Sequence, residues 1–175
     1  QTKAQTVGDT INKSPLTTDK DRQTVFGGCE YDPYEKLKQL GALQGNVKVA
    51  PTNVGGSLKD GIDPSLACRT SKMLEYAAQK GCKATISSGY RSAAKQASMC
   101  GSGSTGCARP GRSCHQYGLA VDLNARCLGW LKQIASQFKL IQNPIPGDPY
   151  HFQCAEHPRG NRSSCTGPCN GGTEI

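Results

Sequence analysis

Ten cysteines in a chain of 175 residues restrict the fold more than any other feature of this sequence. An even number of cysteines in a turn-rich chain indicates a disulfide framework and an oxidising compartment, either extracellular or periplasmic or on a virion. Ten cysteines allow roughly 945 pairings, so the connectivity stays open, although short loops suggest 100 with 107 and 165 with 169. The alternative is a structural zinc site, but such sites favour closely spaced cysteines and the sequence contains no Cys-x-x-Cys. We therefore predict disulfides for most cysteines.

The composition is that of one globular domain with many turns. Hydrophobic residues make up 35% of the chain, and Gly and Pro contribute 21 and 10 residues. The longest apolar runs are far shorter than the about 18 residues of a membrane-spanning helix, so we predict no transmembrane segment. The chain begins with a polar stretch that lacks the apolar core of a signal peptide, which indicates a removed leader or a piece of a larger precursor.

The charge balance favours an anionic partner. The 21 Lys and Arg residues exceed the 13 Asp and Glu residues, giving a formal net charge of +8. Such a surface suits nucleic acids, membrane surfaces or acidic cell-wall polymers. The basic residues are scattered and do not alternate with aromatic side chains, which argues against a nucleic-acid interface.

The chain divides into three parts. Residues 1–28 are polar without an apolar period, which predicts an arm or linker. Residues 29–160 carry the folded domain, with a motif core at 62–154, and residues 161–175 form a tail rich in Cys and Gly. Within the domain, residues 45–61 and 100–112 are predicted to be mostly loop because of their Gly and Ser content.

Helices and strands alternate irregularly along the domain. Asp63 and Pro64 predict the start of a long helix, as an N-cap and a first helical residue, and Gly81 predicts its end. Mixed elements with short connections predict an α+β fold. The predicted helices are 34–43, 64–80, 92–99 and 128–138, and the predicted strands are 83–88, 117–124, 139–142 and 150–153.

The segment 113–122 contains a His and an Asp in a setting of small residues. Side chains alternate along a strand, so Gly118, Ala120 and Asp122 share one face on which a ligand has room. His115 precedes Asp122 by seven positions, and an odd separation places the two on opposite faces of a regular strand. A bend before Gly118 is needed to bring both into one site, and Gly adopts such a bend at little cost.

A second polar cluster follows the turn at Pro149. Alternation predicts Tyr150 and Phe152 in the core and His151 on the opposite face, with Asp148 alongside. Two His and one carboxylate leave an open fourth position on zinc, which is the catalytic arrangement. A second carboxylate can then take up and deliver a proton. The third histidine, at position 157, lacks matching neighbours and is interpreted as an ordinary histidine.

A third segment, 88–92, breaks a predicted strand into a helix. Arg91 lies at this break, and Gln96 follows in the helix. The planar guanidinium group of Arg91 can bind a carboxylate through two hydrogen bonds. A surface salt bridge is the simpler interpretation if this segment is considered alone.

Taken in order, these three segments resemble the LAS-type zinc peptidases. The matching patterns are Gly-Tyr-Arg-Ser-x-x-x-Gln, Ser-x-His-x-x-Gly-x-Ala-x-Asp and Asp-Pro-Tyr-His-Phe, spanning about residues 62–154. The family includes bacterial D-alanyl-D-alanine carboxypeptidases and dipeptidases and phage L-alanyl-D-glutamate endolysins, and the Hedgehog signalling domain is similar in fold. The resemblance implies a small α+β domain with a central antiparallel sheet.

The resemblance also implies roles for individual residues. One zinc ion would be held by His115, Asp122 and His151; Asp148 would be the catalytic base; Arg91 would bind a carboxylate or carbonyl of the substrate; and Ser113 would help to position it. Two features depart from the family pattern. Phe152 stands where relatives often have Trp, and Cys114 lies beside His115, where it could form a disulfide or compete as a metal ligand.

The first functional hypothesis is therefore a zinc-dependent peptidase that hydrolyses an amide bond in peptidoglycan stem peptides, for cell-wall degradation or remodelling, either as a free protein or as part of a phage particle. The alternative is a catalytically silent binding or structural module of the same fold, docked into a larger assembly through its arm and tail. A silent module has no need of Asp148 or Arg91. The sequence leaves open which bond is cleaved, since loops 45–61 and 100–112 shape the cleft.

Overall fold

A computed structural model describes residues 5–6, 28–55, 57–100, 113–142, 148–157 and 169. Nearly all of the predicted arm 1–28, the predicted loop 100–112 and the predicted tail 161–175 lie outside these residues. Their boundaries stay predictions. None of the helices in the described ranges is long and apolar enough to cross a membrane.

The helices lie close to their predicted positions. Within the described residues they are α1 (Pro33–Gln39), α2 (Pro64–Gln79), α3 (Ala93–Cys100) and α4 (Leu128–Ile134), and a short 3-10 turn, Ala135–Phe138, continues α4. The Asp63 carboxylate accepts hydrogen bonds from the backbone N–H of Ser65 and Leu66, at 3.0 and 3.2 Å. The predicted N-cap of α2 is therefore confirmed, and it sets the position of the longest helix.

The strands form two antiparallel sheets. The central sheet has the order β4-β5-β7-β6, and a small sheet has the order β1-β2-β3. The strands are β1 (Gln5–Thr6), β2 (Thr52–Val54), β3 (Ser57–Lys59), β4 (Thr85–Ser88), β5 (Ala120–Asn124), β6 (Leu140–Gln142) and β7 (His151–Cys154). The predicted α+β class with a central antiparallel sheet is confirmed.

Three local predictions need correction. The segment 45–61, predicted as mostly loop, contains the β2–β3 hairpin, whose three-residue strands are too short to show alternation. The strand predicted from 117 begins at Ala120, because Cys114–Tyr117 is a 3-10 helix. Tyr150, predicted to be buried, is 52% exposed, since it lies in the turn before β7 and the strand alternation does not reach it.

The core lies between α2 and the central sheet. Leu66 and Met73 of α2 are fully buried, as are Ile86 of β4, Leu123 of β5 and Phe152 of β7. Burial of a side chain of this size contributes about 1.5–3 kcal/mol to folding. The sheet is therefore anchored on one side, and its strands can hold polar side chains in fixed positions.

Disulfides staple this core, as predicted. Cys29 is bonded to Cys68 of α2, Cys82 to Cys127 at the start of α4, and Cys154 of β7 to Cys169. Cys169 thus pairs with a strand and not with its sequence neighbour at 165. Cys100 and Cys114 are disulfide-bonded as well. Cys114 is therefore no thiolate ligand, and of the two possibilities for this residue the disulfide holds.

The bond between Cys82 and Cys127 is expected to stabilise the domain most among those with described partners. It closes a loop of 45 residues, and the chain-entropy model assigns such a loop about 4 kcal/mol. Replacing both residues with Ser should lower the free energy of unfolding by that amount, measured by guanidinium denaturation. The double variant of Cys154 and Cys169, with a separation of 15, should lose about 3 kcal/mol. Equal midpoints for wild type and the first variant would contradict this prediction.

Candidate metal centre

Three predicted site residues converge where β5 pairs with β7. The strand register places Asp122 opposite His151, and His115 reaches them from the 3-10 helix that precedes β5. Asp122 Oδ1 lies 3.2 Å from His115 Nε2 and 3.6 Å from His151 Nδ1. The two imidazole rings meet edge to face with centroids 5.1 Å apart. One atom from each of the three residues lies within 4.8 Å of the others, close enough to share a metal ion.

The convergence depends on the bend at Gly118. This residue has a left-handed backbone with a φ of 69°, which Gly adopts without strain. A Cβ at this position would collide with the carbonyl oxygen of Gly61. The bend turns the chain between His115 and Asp122, so that their odd separation does not place them on opposite faces. The predicted bend is therefore present, at Gly118 itself.

Hydrogen bonds determine which ring nitrogen of each histidine faces the centre. His115 Nδ1 lies 2.9 Å from the Gly89 carbonyl oxygen, which can only accept, so Nδ1 carries the proton. His151 Nε2 lies 2.7 Å from Gln153 Oε1. The Gln153 amide nitrogen donates to the carbonyl oxygen of His157, which orients the amide and makes His151 Nε2 the donor. Both imidazoles thus turn their other ring nitrogen, Nε2 of His115 and Nδ1 of His151, toward Asp122.

The three residues could hold a cation. Two imidazole nitrogens and a carboxylate oxygen face one another at 3.2 and 3.6 Å, so positive charge is required among them, supplied either by ring protons or by a bound cation. Burial alone would raise the pKa of Asp122, but the hydrogen bonds and electrostatic attraction of His115 and His151 lower this pKa well below its usual value. The carboxylate is therefore ionised at neutral pH. A donor set of two nitrogens and one oxygen, each histidine held by an outer hydrogen bond, fits a transition-metal ion.

Asp148 lies beside the three converging residues. Its Oδ2 is 3.8 Å from His151 Nδ1, and its side chain is 34% exposed. The turn at Pro149 lifts this carboxylate to the rim of the centre, as predicted. It can exchange protons with solvent while remaining next to the donor atoms.

Arg91 borders the centre on the β4 side. Its guanidinium donates to Ser88 Oγ at 2.8 Å and to Gln96 Oε1 at 2.9 Å, and it lies 3.7 Å from Asp122 Oδ2. Burial lowers the pKa of Arg91, and the carboxylate of Asp122 opposes this effect. The guanidinium is therefore held in a fixed position by the neutral acceptors of Ser88 and Gln96 and by the negative charge of Asp122.

A groove with a volume of about 770 Å³ leads to this centre, and Arg91 and Asp122 both line it. Ser113, by contrast, is buried with 7% of its surface exposed. It is not among the residues that line this groove in the described part of the chain. Its predicted contact with substrate stays a prediction.

Sequence reasoning missed the residues that orient the histidines. Gln153 follows His151 by two positions on β7, so alternation places both on the same face, and this pattern could have identified it. Gly89 supplies a backbone carbonyl, which no side-chain pattern reveals. A side chain at Gly89 would also collide with the Lys48 carbonyl oxygen, so Gly is required for close approach there.

Fold and donor set define a class, namely small α+β domains in which a His–Asp–His cluster could hold a metal ion. Within this class, residues 59–144 match the family model of VanY, a D-alanyl-D-alanine carboxypeptidase. The resemblance to zinc peptidases seen in the sequence is thereby confirmed for this segment, which is just under half of the chain. Asp148 and His151 follow the matched segment, and the pairing of β5 with β7 brings His151 to the other two residues.

Several solved structures are similar to parts of the chain. A mutant of the vancomycin resistance D,D-pentapeptidase VanY from the VanB-type cassette, in complex with Zn(II), is 22% identical with a TM-score of 0.46, covering 65% of this chain and 82% of that one. VanYB in complex with D-alanine-D-alanine is 23% identical with a TM-score of 0.47, covering 70% and 83%. The LD-carboxypeptidase LdcB is 20% identical with a TM-score of 0.47, covering 69% and 68%. No curated protein matches the chain.

Proposed function

We propose that this protein is a zinc-dependent peptidase that hydrolyses an amide bond in peptidoglycan stem peptides. The observation that carries the proposal is the convergence of two imidazole nitrogens and an ionised carboxylate at His115, Asp122 and His151, with a further carboxylate at Asp148. The match to a carboxypeptidase family supports the substrate class. The predicted stem-peptide substrate agrees with a net charge of +8, since cell-wall polymers are acidic.

His115, Asp122 and His151 would hold one zinc ion through two nitrogens and one oxygen. Three protein ligands leave a fourth coordination position, as in catalytic zinc sites. Zinc held by these residues would supply a Lewis acid for the scissile carbonyl and would lower the pKa of a water molecule toward neutral. The outer hydrogen bonds from His115 to Gly89 and from His151 to Gln153 hold the rings in the required orientation.

Asp148 would act as general base and then general acid. Its carboxylate accepts a proton as water attacks the carbonyl carbon, and it passes that proton to the leaving amine as the carbon–nitrogen bond breaks. Asp148 therefore returns to its ionised form after one turnover, since the proton taken from water leaves with the amine. Its position at the rim, partly exposed, allows it to reach both water and the leaving group.

Arg91 would bind a carboxylate or carbonyl of the substrate and so set the scissile bond over the centre. Its guanidinium lines the groove and is held by Ser88 and Gln96. A planar donor pair of this kind binds a carboxylate with defined geometry. Ser113 would assist in positioning. The disulfides support an extracellular or periplasmic location, or carriage on a virion.

Metal content together with peptidoglycan digestion tests the proposal. Native, chelator-treated and zinc-restored protein would be compared on purified peptidoglycan. We expect about one zinc per chain and new amine ends released only with zinc present. Mass spectrometry of the fragments then identifies the bond and separates a carboxypeptidase from an endopeptidase. Zinc binding without cleavage would overturn the peptidase and favour the binding-module alternative.

Gln153 provides a more local test of the centre. Replacing it with Met removes the acceptor for His151 Nε2 while keeping the volume, so zinc affinity should fall by about 10–100-fold. Competition with a chromogenic chelator measures this change. Gln153→Glu keeps the acceptor and should recover part of the loss. If the Met variant binds zinc as tightly as wild type, while melting at the same temperature, the orienting role is wrong.

A further inference from the structure

The groove extends well beyond the metal centre. Its floor passes from Asp122 of β5 over Ser87 and Ser88 of β4, which is an edge strand of the central sheet. Segment 44–48 runs along the outer side of β4, where the N–H of Gln44 donates to the Ile86 carbonyl. Helix α3 borders the groove through Lys95. A substrate longer than the scissile dipeptide therefore has a defined path across β4.

Two lysines, Lys48 and Lys95, lie on this path near Arg91. Lys95 is close to Arg91 in the sequence, and Lys48 is close to it in space. The Lys48 carbonyl oxygen accepts a hydrogen bond from the Tyr90 N–H at 2.7 Å, so Lys48 runs beside the residue that precedes Arg91. Lys95 lies in the first turn of α3, and its N–H donates to Ser92 Oγ at 3.1 Å. Both residues line the groove.

The charges of both lysines lack carboxylate partners among the described residues. Lys48 Nζ donates to the hydroxyl of Thr52 at 2.7 Å, a neutral acceptor, and neither lysine belongs to an ion pair within the described ranges. Asp60, another acid in the lining, is hydrogen-bonded to Tyr90. Arg91 already faces Asp122. The groove therefore offers two ammonium groups to a ligand.

We propose that Lys48 and Lys95 form a subsite for a carboxylate on the substrate, two or three residues away from the scissile amide. The proposal rests on the peptidase function above and names the substrate class as an acidic peptide. Neighbouring strands are about 4.8 Å apart and an extended residue spans about 3.3 Å. Crossing from β5 over β4 to segment 44–48 thus requires about three residues. The substrate carboxylate that binds the lysines would therefore lie at about this distance from the scissile amide.

The test uses two synthetic stem pentapeptides, L-Ala-γ-D-Glu-L-Lys-D-Ala-D-Ala, one with the free glutamate α-carboxylate and one with the carboxamide. For wild type, we expect kcat/KM to favour the carboxylate peptide about tenfold, as two exposed ion pairs allow. The double variant Lys48→Gln/Lys95→Gln should reduce this preference to about twofold or less. Lys132→Gln, an exposed lysine on α4, is the matched control and should retain the preference. Raising the salt concentration should weaken the preference in wild type.

Dissociation constants for both peptides, measured with zinc-loaded Asp148→Asn protein, provide a readout that does not require turnover. Cleavage of both peptides at equal rates with equal affinities would overturn the subsite and leave the peptidase intact. A preference that persists in the double lysine variant would also overturn it. If wild type cleaves neither these peptides nor purified peptidoglycan, the peptidase proposal fails, and the ratio of dissociation constants still decides the subsite. Melting temperatures verify that the variants are folded.

Discussion

Replacing Asp148 with Asn should leave zinc bound and lower turnover by about 10²–10⁴-fold. The amide has the size of the carboxylate but cannot accept a proton from the attacking water. Zinc should remain, because Asp148 stands beside the three converging residues, with Oδ2 3.8 Å from His151 Nδ1. Loss of turnover with zinc retained would show that Asp148 acts as the base and is not one of the residues that bind zinc.

The measurement pairs zinc content with the rate of amine release from peptidoglycan. Asp148→Glu keeps a carboxylate that can accept the proton and should restore much of the activity. Glu75→Gln is the matched control, a carboxylate-to-amide change in a pair with Lys36, and it should retain the wild-type rate. Full activity in Asp148→Asn would remove Asp148 as the base.

Replacing Asp122 with Ala should abolish both zinc binding and hydrolysis. Its Oδ1 faces both histidines, and it supplies the negative charge that lies between them. A change in the outer hydrogen bonds of a metal site costs about 10–100-fold in affinity, and loss of a direct ligand should exceed this. Arg91 would also lose the carboxylate at 3.7 Å, which should loosen its position in the groove.

Isothermal titration with zinc and peptidoglycan digestion would measure both effects. Asn124→Ala, an exposed position two residues later on β5, is the matched control and should behave as wild type. Circular dichroism would verify that Asp122→Ala is folded, as expected for a side chain that is 21% exposed and lies outside the hydrophobic core. A variant that binds zinc with wild-type affinity would exclude Asp122 as a ligand.

Local signals in the sequence were sufficient for most of the elements. Asp63 and Pro64 predicted the start of α2, because capping and a fixed φ act within one turn. The β2–β3 hairpin was missed, since strands of three residues carry too little alternation to be recognised. Tyr150 was placed wrongly because it lies in the turn before β7, where the alternation of the strand does not apply.

The sequence alone determined the chemistry that this domain can support. The order of His115, Asp122, Asp148 and His151, the flexible Gly118 between the first two, and an even number of cysteines are all properties of the chain itself. The backbone freedom of Gly118 and the ligand atoms of the side chains do not depend on residues distant in sequence. Both can therefore be inferred without the structure.

Only the tertiary structure decided how these parts meet. The pairing of β5 with β7 brings His151 to Asp122, the Gly89 carbonyl and Gln153 select the ring nitrogens, and Cys154 bonds to Cys169. The groove with its two lysines exists because segment 44–48 lies along the edge of β4. Each of these contacts joins residues distant in sequence or depends on the orientation of a neighbouring group. The packing of the whole domain therefore sets them, and a local sequence pattern does not reveal them.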